Sequence, residues 1–292
     1  MTWTATLTVS EPAARALADA IEDDPVLAGT AVDGVETGLN RWRVTLYFEH
    51  KPDAAERNAL ASLAAQAAGD GKPTIRISSL DDADWVAKSL EGLRPIRVGR
   101  FVVHGAHDRD AIRINDIGIE IEAGQAFGTG HHGTTAGCLA AIDQLAKRQR
   151  IGNALDVGTG SGVLAIAMAK TLRVPVLASD IDSTAVQVAA ANARLNAVAP
   201  LVLTVQAAGA DRAAFATPHG FDLIVANILA GPLITLAPSL RRRLAPGATL
   251  ILSGILVRQA NRVAAAYRAM GLRFVRADTI EGWTTLTFRR GP

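Results

Sequence analysis

Leu155-Asp156-Val157-Gly158-Thr159-Gly160-Ser161-Gly162-Val163-Leu164 reads as a strand end, a turn of alternating glycines and a helix start. Glycines there let the backbone turn sharply and leave main-chain N–H groups open to a ligand at the positive end of a helix. Downstream, Asp180 lies 22 residues beyond Gly158 and closes the next apolar run. A carboxylate in that place can accept two hydroxyls of a ribose.

Outward from this turn, apolar runs at Ala154 to Val157, Val176 to Ser179, Leu201 to Val205, Leu223 to Ala226 and Thr249 to Leu252 alternate with helix-length segments. Runs apolar on both faces are what parallel strands covered by helices require. The last two, Leu272 to Ile280 and Trp283 to Phe288, are joined only by Glu281 and Gly282, and so short a connection joins antiparallel strands. The expected fold is α/β, a Rossmann-like seven-stranded mixed sheet. Two observations choose between ligands for the glycine turn. Its spacing is G-x-G-x-G, with Val163 where the dinucleotide fingerprint wants Gly or Ala, and the sheet closes on an antiparallel hairpin. Both favour S-adenosylmethionine, which has no pyrophosphate, over a nicotinamide dinucleotide and an oxidoreductase.

The front third has a different texture. Thr4 to Val9, Arg41 to Phe48 and Thr74 to Ser78 read as strands, with helical periods at Pro12 to Ile21 and Ala54 to Ala68. Strand-helix-strand-helix-strand predicts a small α+β domain of ferredoxin-like type. We therefore expect a first domain over 1–80, a charged, partly helical linker over 81–97 and a catalytic domain over 98–292.

Composition narrows the function. The chain has 292 residues, with 30 Lys and Arg against 28 Asp and Glu, a formal charge of +2. That balance is too even for coating nucleic acid or anionic lipid by counterion release. Cys138 is the single cysteine, no apolar stretch reaches the roughly 18 residues a membrane span needs, and Met1 to Ser10 lacks a signal-peptide pattern. The expected compartment is the reducing cytoplasm.

Two further segments carry chemistry. Gln125-Ala126-Phe127-Gly128-Thr129-Gly130-His131-His132-Gly133-Thr134-Thr135 precedes a helical pattern from Ala136 to Lys147. Such a loop can fold over a ligand while its threonines cap the helix. The paired histidines lack Cys or acidic partners at ligand spacing, so no metal is expected. Asn227, just past the run Leu223 to Ala226, falls at the carboxyl edge where ligands bind in open α/β sheets. Its amide can orient an amine; a plain turn former is the bland reading of the same residue. Arg241-Arg242-Arg243 before Pro246 reads as a basic helix end.

Taken together, Phe127 to Thr135, Asp156 to Gly162, Asp180-Ile181-Asp182, Asn227-Ile228-Leu229-Ala230-Gly231-Pro232 and Ser253-Gly254-Ile255-Leu256 resemble the PrmA family. These are class I methyltransferases that modify the large-subunit ribosomal protein numbered eleven. Asp84-Trp85 and the stretch from Pro95 to Phe101 resemble that family's linker and entry strand. The resemblance implies an S-adenosylmethionine-dependent enzyme that methylates lysine ε-amines and the substrate's α-amine. It implies cofactor positions at Thr135, Gly158, Asp180 and Asn227, with Phe127, Gly128, Thr129 and His132 nearby and Gly160 and Ile181 in the same motifs. Asn227 is the expected catalytic residue. The substrate is expected as the free ribosomal protein met by a monomer, without direct nucleic-acid or membrane contact. A relative acting on another protein lysine or small amine is the alternative. Two departures from the family pattern are Gly133, where Pro or Glu is usual and the loop could be loosened, and Ser89, where a second Trp is common.

Overall fold

The computed structural model describes residues 2–27, 30–38, 41–48, 50–69, 73–80, 95–121, 133–207 and 219–292. The chain divides into two compact units, Met1–Lys88 and Ser89–Pro292.

The first unit runs β1 (Thr2–Val9), α1 (Glu11–Asp23), β2 (Ala31–Gly38), β3 (Arg41–Phe48), α2 (Ala54–Ala68) and β4 (Arg76–Leu80). Its sheet order is β2-β3-β1-β4, with every pairing antiparallel. Both helices start where the sequence supplies a cap. Ser10 accepts from the Ala13 N–H, and Asp53 and Glu56 form a reciprocal capping box. Leu7, Leu17, Ile21, Leu46 and Leu60 are fully buried between helices and sheet. Four strands stand where the sequence reading has three. The addition is β2, whose Asp33, Gly34 and Glu36 interrupt the apolar alternation that marks a strand.

The second unit opens with a small sheet of β5 (Ile96–Val98), β6 (Phe101–His104) and β7 (Ile117–Glu120). Ile96 and Arg97, read from the sequence as the end of a linker, thus belong to a strand of this unit. Next come α3 (Gly133–Ala146), β8 (Ala154–Val157), α4 (Val163–Leu172), β9 (Val176–Asp180), α5 (Ser183–Leu195) and β10 (Val202–Gln206). They are followed by β11 (Phe221–Asn227), α6 (Ala230–Arg243), β12 (Leu244–Leu256), α7 (Ala260–Ala269), β13 (Arg273–Ile280) and β14 (Trp283–Arg289). The seven-stranded sheet has the order β10-β9-β8-β11-β12-β14-β13.

Strands β8 to β12 pair in parallel, while β14 runs antiparallel to both of its neighbours. The hairpin reading therefore holds. Glu281 and Gly282 both take positive φ, 50° and 81°, as a two-residue turn matched to the strand twist demands.

Two cores cover the two faces of this sheet. One joins Leu139 and Ile142 of α3, Ile166 and Met168 of α4 and Ala193 of α5 to Val225 and Ile251. The other joins Leu233 and Leu240 of α6 and Val263 and Tyr267 of α7 to Leu250, Leu252 and Phe288. Tyr267 shows how a polar tip is accommodated there: its ring stacks on Phe288 at 5.6 Å while its hydroxyl donates to the Leu233 carbonyl at 2.7 Å. The order of strands reverses between β8 and β11, so a crevice opens at their carboxyl ends.

Candidate functional site

The crevice begins at the glycine turn between β8 and α4. Gly158, Gly160 and Gly162 have φ of 71°, 53° and 83°, a region that side chains other than glycine rarely adopt. The N–H groups of Gly158 and Thr159 both donate to the Ser179 carbonyl, at 2.8 and 2.9 Å, which ties the turn to β9. A Cβ on Gly158 would sit 2.2 Å from Ile228 Cγ2. On the other side, a Cβ on Gly254, whose φ is 82°, would sit 2.3 Å from the Ile228 carbonyl oxygen. The chain just past Asn227 is thus gripped between two positions without side chains, and this close approach brings the end of β11 beside the turn.

Asp180 ends β9 facing the same turn. Its Oδ2 accepts from the Gly160 N–H at 2.9 Å and its Oδ1 from the Asp182 N–H at 3.1 Å. An ionised carboxylate offers about four acceptor positions, so each oxygen keeps one for an incoming hydroxyl. Ile181 beside it is 72% exposed, an apolar side chain held open next to that carboxylate.

Beneath the turn, Asp156 is completely buried. Its Oδ2 accepts from the Thr159 hydroxyl at 2.7 Å and the Ala165 N–H at 3.1 Å, whereas Oδ1 has no partner. Burial pushes its carboxyl up to about 7, and the nearby Asp180 charge adds to that rise against the two hydrogen bonds. Asp156 therefore holds both ends of the turn from inside the protein, at an electrostatic cost.

Asn227 completes the arrangement. Its Nδ2 donates to the hydroxyls of Thr134 and Thr135, 3.4 Å each, leaving Oδ1 as an acceptor. Both threonines are buried in the first turn of α3. The sequence assigns them to capping; in the structure their hydroxyls meet Asn227 instead, because α3 starts at Gly133, ahead of the expected Ala136. Ser253, opposite Asn227 in the β11–β12 register, donates to the Thr134 carbonyl at 3.1 Å and shares a hydrogen bond with Thr285 at 3.0 Å. It anchors α3 to the sheet.

Of the sequence-predicted positions, Thr135, Gly158, Gly160, Asp180, Ile181 and Asn227 come together along this edge. Phe127, Gly128, Thr129 and His132 lie outside the described residues, as does Ser89. A Cβ on Gly133 would meet the Ile280 carbonyl oxygen at 2.4 Å, so the glycine permits α3 to abut the end of β13; the loop it was expected to loosen lies outside the described residues. Asp156, Ser253 and Gly254 stand within the sequence motifs, yet the sequence assigns them no role of their own. Their signal is a polar residue or glycine inside an otherwise apolar run.

The model of the family described as Ribosomal protein L11 methyltransferase (PrmA) matches residues 8–291 of this chain. A Ribosomal protein L11 methyltransferase of Rhizobium etli is 49% identical over 269 residues, 92% of this chain and 90% of that relative. Its counterpart in Bradyrhizobium diazoefficiens is 49% identical over 282 residues, 96% of this chain and 95% of that one. Among solved structures, a ribosomal protein L11 methylase from Lactobacillus delbrueckii subsp. bulgaricus aligns with a TM-score of 0.61 at 28% identity, covering 68% of this chain and 100% of that chain. A match that runs through both units, on top of the strand order, the reversed β14 and the glycine turn, means that this chain belongs to the PrmA family of ribosomal protein L11 methyltransferases.

Proposed function

We propose that the crevice formed by the glycine turn, Asp180 and Asn227 is where this enzyme transfers methyl groups from S-adenosylmethionine to amines of ribosomal protein L11. The family fixes the reaction class, its cofactor and the protein acted on. The residue roles, the amines modified and the division of labour between the two units are our reading. The observation that carries it is Asn227: its amide N–H2 is occupied by two threonine hydroxyls, and its carbonyl is left to accept at the ligand edge of the sheet.

The residues present fit the cofactor. Gly158 provides a cradle that a Cβ would fill, Asp180, held by the Gly160 N–H, presents acceptor positions beside it, and Ile181 offers an apolar surface. In this reading Asp180 accepts the ribose hydroxyls, Ile181 lies against the base, and Thr135 and Asn227 bound the far end. Phe127, Gly128, Thr129 and His132 are proposed to close over it. S-adenosylmethionine supplies, when bound, a methyl group on a positively charged sulfur open to in-line attack.

The amine must reach that carbon neutral. A lysine with a pKa of about 10.4 is neutral roughly one time in a thousand near pH 7.4, a cost of about 4 kcal/mol, whereas an α-amine near 7.7–8 is already partly neutral. Desolvation between β11 and α3 lowers the cost. Asn227 Oδ1 accepts one N–H of the neutral amine and aims its lone pair, and water takes the proton. Replacing Asn227 by Ala is expected to lower turnover at least about tenfold even at saturating cofactor and protein substrate. Unchanged turnover would remove Asn227 from the mechanism.

The first unit is proposed to recognise the ribosomal protein, free in the cytoplasm, and to present several of its amines in turn to one site; tethering raises their local concentration. The enzyme is read as a monomer that makes no direct nucleic-acid contact. No helix among the described residues is long and apolar enough to cross a membrane.

A further inference from the structure

A second concavity lies far from the crevice. Where α3 ends, its Ala141, Gln144 and Leu145, with Arg148 just beyond it, face Thr249 and Ile251 of β12, Thr287 and Arg289 of β14, and Arg273 and Arg276 of β13 across a cavity of about 230 Å³. Thr135, at the crevice, and Ala146, the last residue of α3, are separated by eleven helical steps, about 16 Å along the axis. The two sites are at opposite ends of α3.

The walls carry four guanidinium groups and no carboxylate. Arg276 alone is paired, donating to Gln144 Oε1 and Asp278 Oδ1. Among the described residues, Arg148, Arg273 and Arg289 form no ion pair, and Arg289 donates only to the Gly247 carbonyl. Another donor converges with them. Gln149 Oε1 accepts from the Thr249 hydroxyl at 3.3 Å, which leaves the Gln149 N–H2 to donate. The floor is apolar, with Ala141, Leu145, Ile251 and Val275.

We propose that this cavity is an anion site for a phosphate group, either inorganic phosphate or the monoester end of a small metabolite. Three guanidinium forks without an ion pair among the described residues, and an amide, make more donors than the two oxygens of a carboxylate can use, whereas a tetrahedral oxyanion presents three or four oxygens. The size agrees: the cavity is smaller than the roughly 300–1,000 Å³ that holds a drug-sized ligand. The formal charge of +2 for the whole chain conceals this concentration of charge.

The test is calorimetric titration of the full chain at low ionic strength with inorganic phosphate and, separately, with phenyl phosphate, which lacks the adenosine that the crevice would take. Saturable binding is expected, weakened at least about tenfold in the double variant R273Q/R289Q, with S-adenosylhomocysteine affinity and the urea midpoint unchanged. Arg273 and Arg289 are exposed, and should that variant not fold, Arg148→Gln carries the same expectation. Tighter binding of phenyl phosphate points to a monoester and equal or weaker binding to the free ion; both support the site. Absence of saturable binding to the wild type, equal affinity in the variant, or binding of only a single-stranded RNA oligomer would overturn it.

Discussion

Asp180 and Asp156 are two carboxylates on neighbouring strands with opposite duties. Asp180 is open enough to receive a ligand and is pre-positioned by the N–H groups of Gly160 and Asp182. A charge-assisted hydrogen bond is worth about 1.5–3 kcal/mol, so Asp180→Ala should weaken S-adenosylhomocysteine binding at least about tenfold by calorimetry; unchanged affinity would reject its role. Asp156 serves from inside. Burial raises its carboxyl from the ordinary 3.8 to about 7, so between those values the folded protein keeps a proton that the unfolded chain has released. The contribution of this group to stability is full below about pH 4, declines as pH rises toward 7 and is flat above. Urea unfolding followed from pH 4 to 8 should show that decline in the wild type relative to Asp156→Asn, with the difference between the two levelling off above pH 7. Parallel curves throughout would mean that Asp156 is not held in this way. The placement of Asp180 and Asn227 was legible in the sequence because each closes a strand-like apolar run. Asp156 was not, since its role arises only when Thr159 and Ala165 fold back over it.

At the scale of elements, the site depends on how closely β8, β11 and β12 approach at their carboxyl ends. Gly254 makes this plain: its φ of 82° and the 2.3 Å that would separate an added Cβ from the Ile228 carbonyl oxygen leave a side chain nowhere to go. Gly254→Ala is expected to cost about 1–3 kcal/mol or more in urea unfolding, and to weaken cofactor binding because the end of β11 must shift. Stability and affinity both equal to wild type would show that the grip on Ile228 is dispensable. The parallel strands and closing hairpin were readable because continuous apolar runs, and a two-residue join at Glu281 and Gly282, each admit few geometries. Strand β2 escaped because Asp33, Gly34 and Glu36 break its pattern, and β5 to β7 because elements of three or four residues are too short to show a period. The contact of Thr134 and Thr135 with Asn227 joins positions 93 and 92 residues apart in the chain, a pairing that local periodicity cannot reveal.

For the whole molecule, each unit has its own buried core: Leu17, Leu46 and Leu60 in the first, Leu139, Val225 and Phe288 among others in the second. Removal of residues 1–80 is therefore expected to leave a folded chain that binds S-adenosylhomocysteine normally but no longer methylates ribosomal protein L11, read by mass spectrometry of that protein. Full methylation by the shortened chain would place recognition in the second unit. The central claim is that one crevice unites the glycine turn, Asp180 and Asn227, and a crystal structure of this protein with S-adenosylhomocysteine tests it most directly. We expect ribose hydroxyls within hydrogen-bond distance of Asp180, adenosine above Gly158 and Gly160, and the sulfur facing Asn227; a ligand seated elsewhere, with Asp180 untouched, would show that the crevice is not the cofactor site.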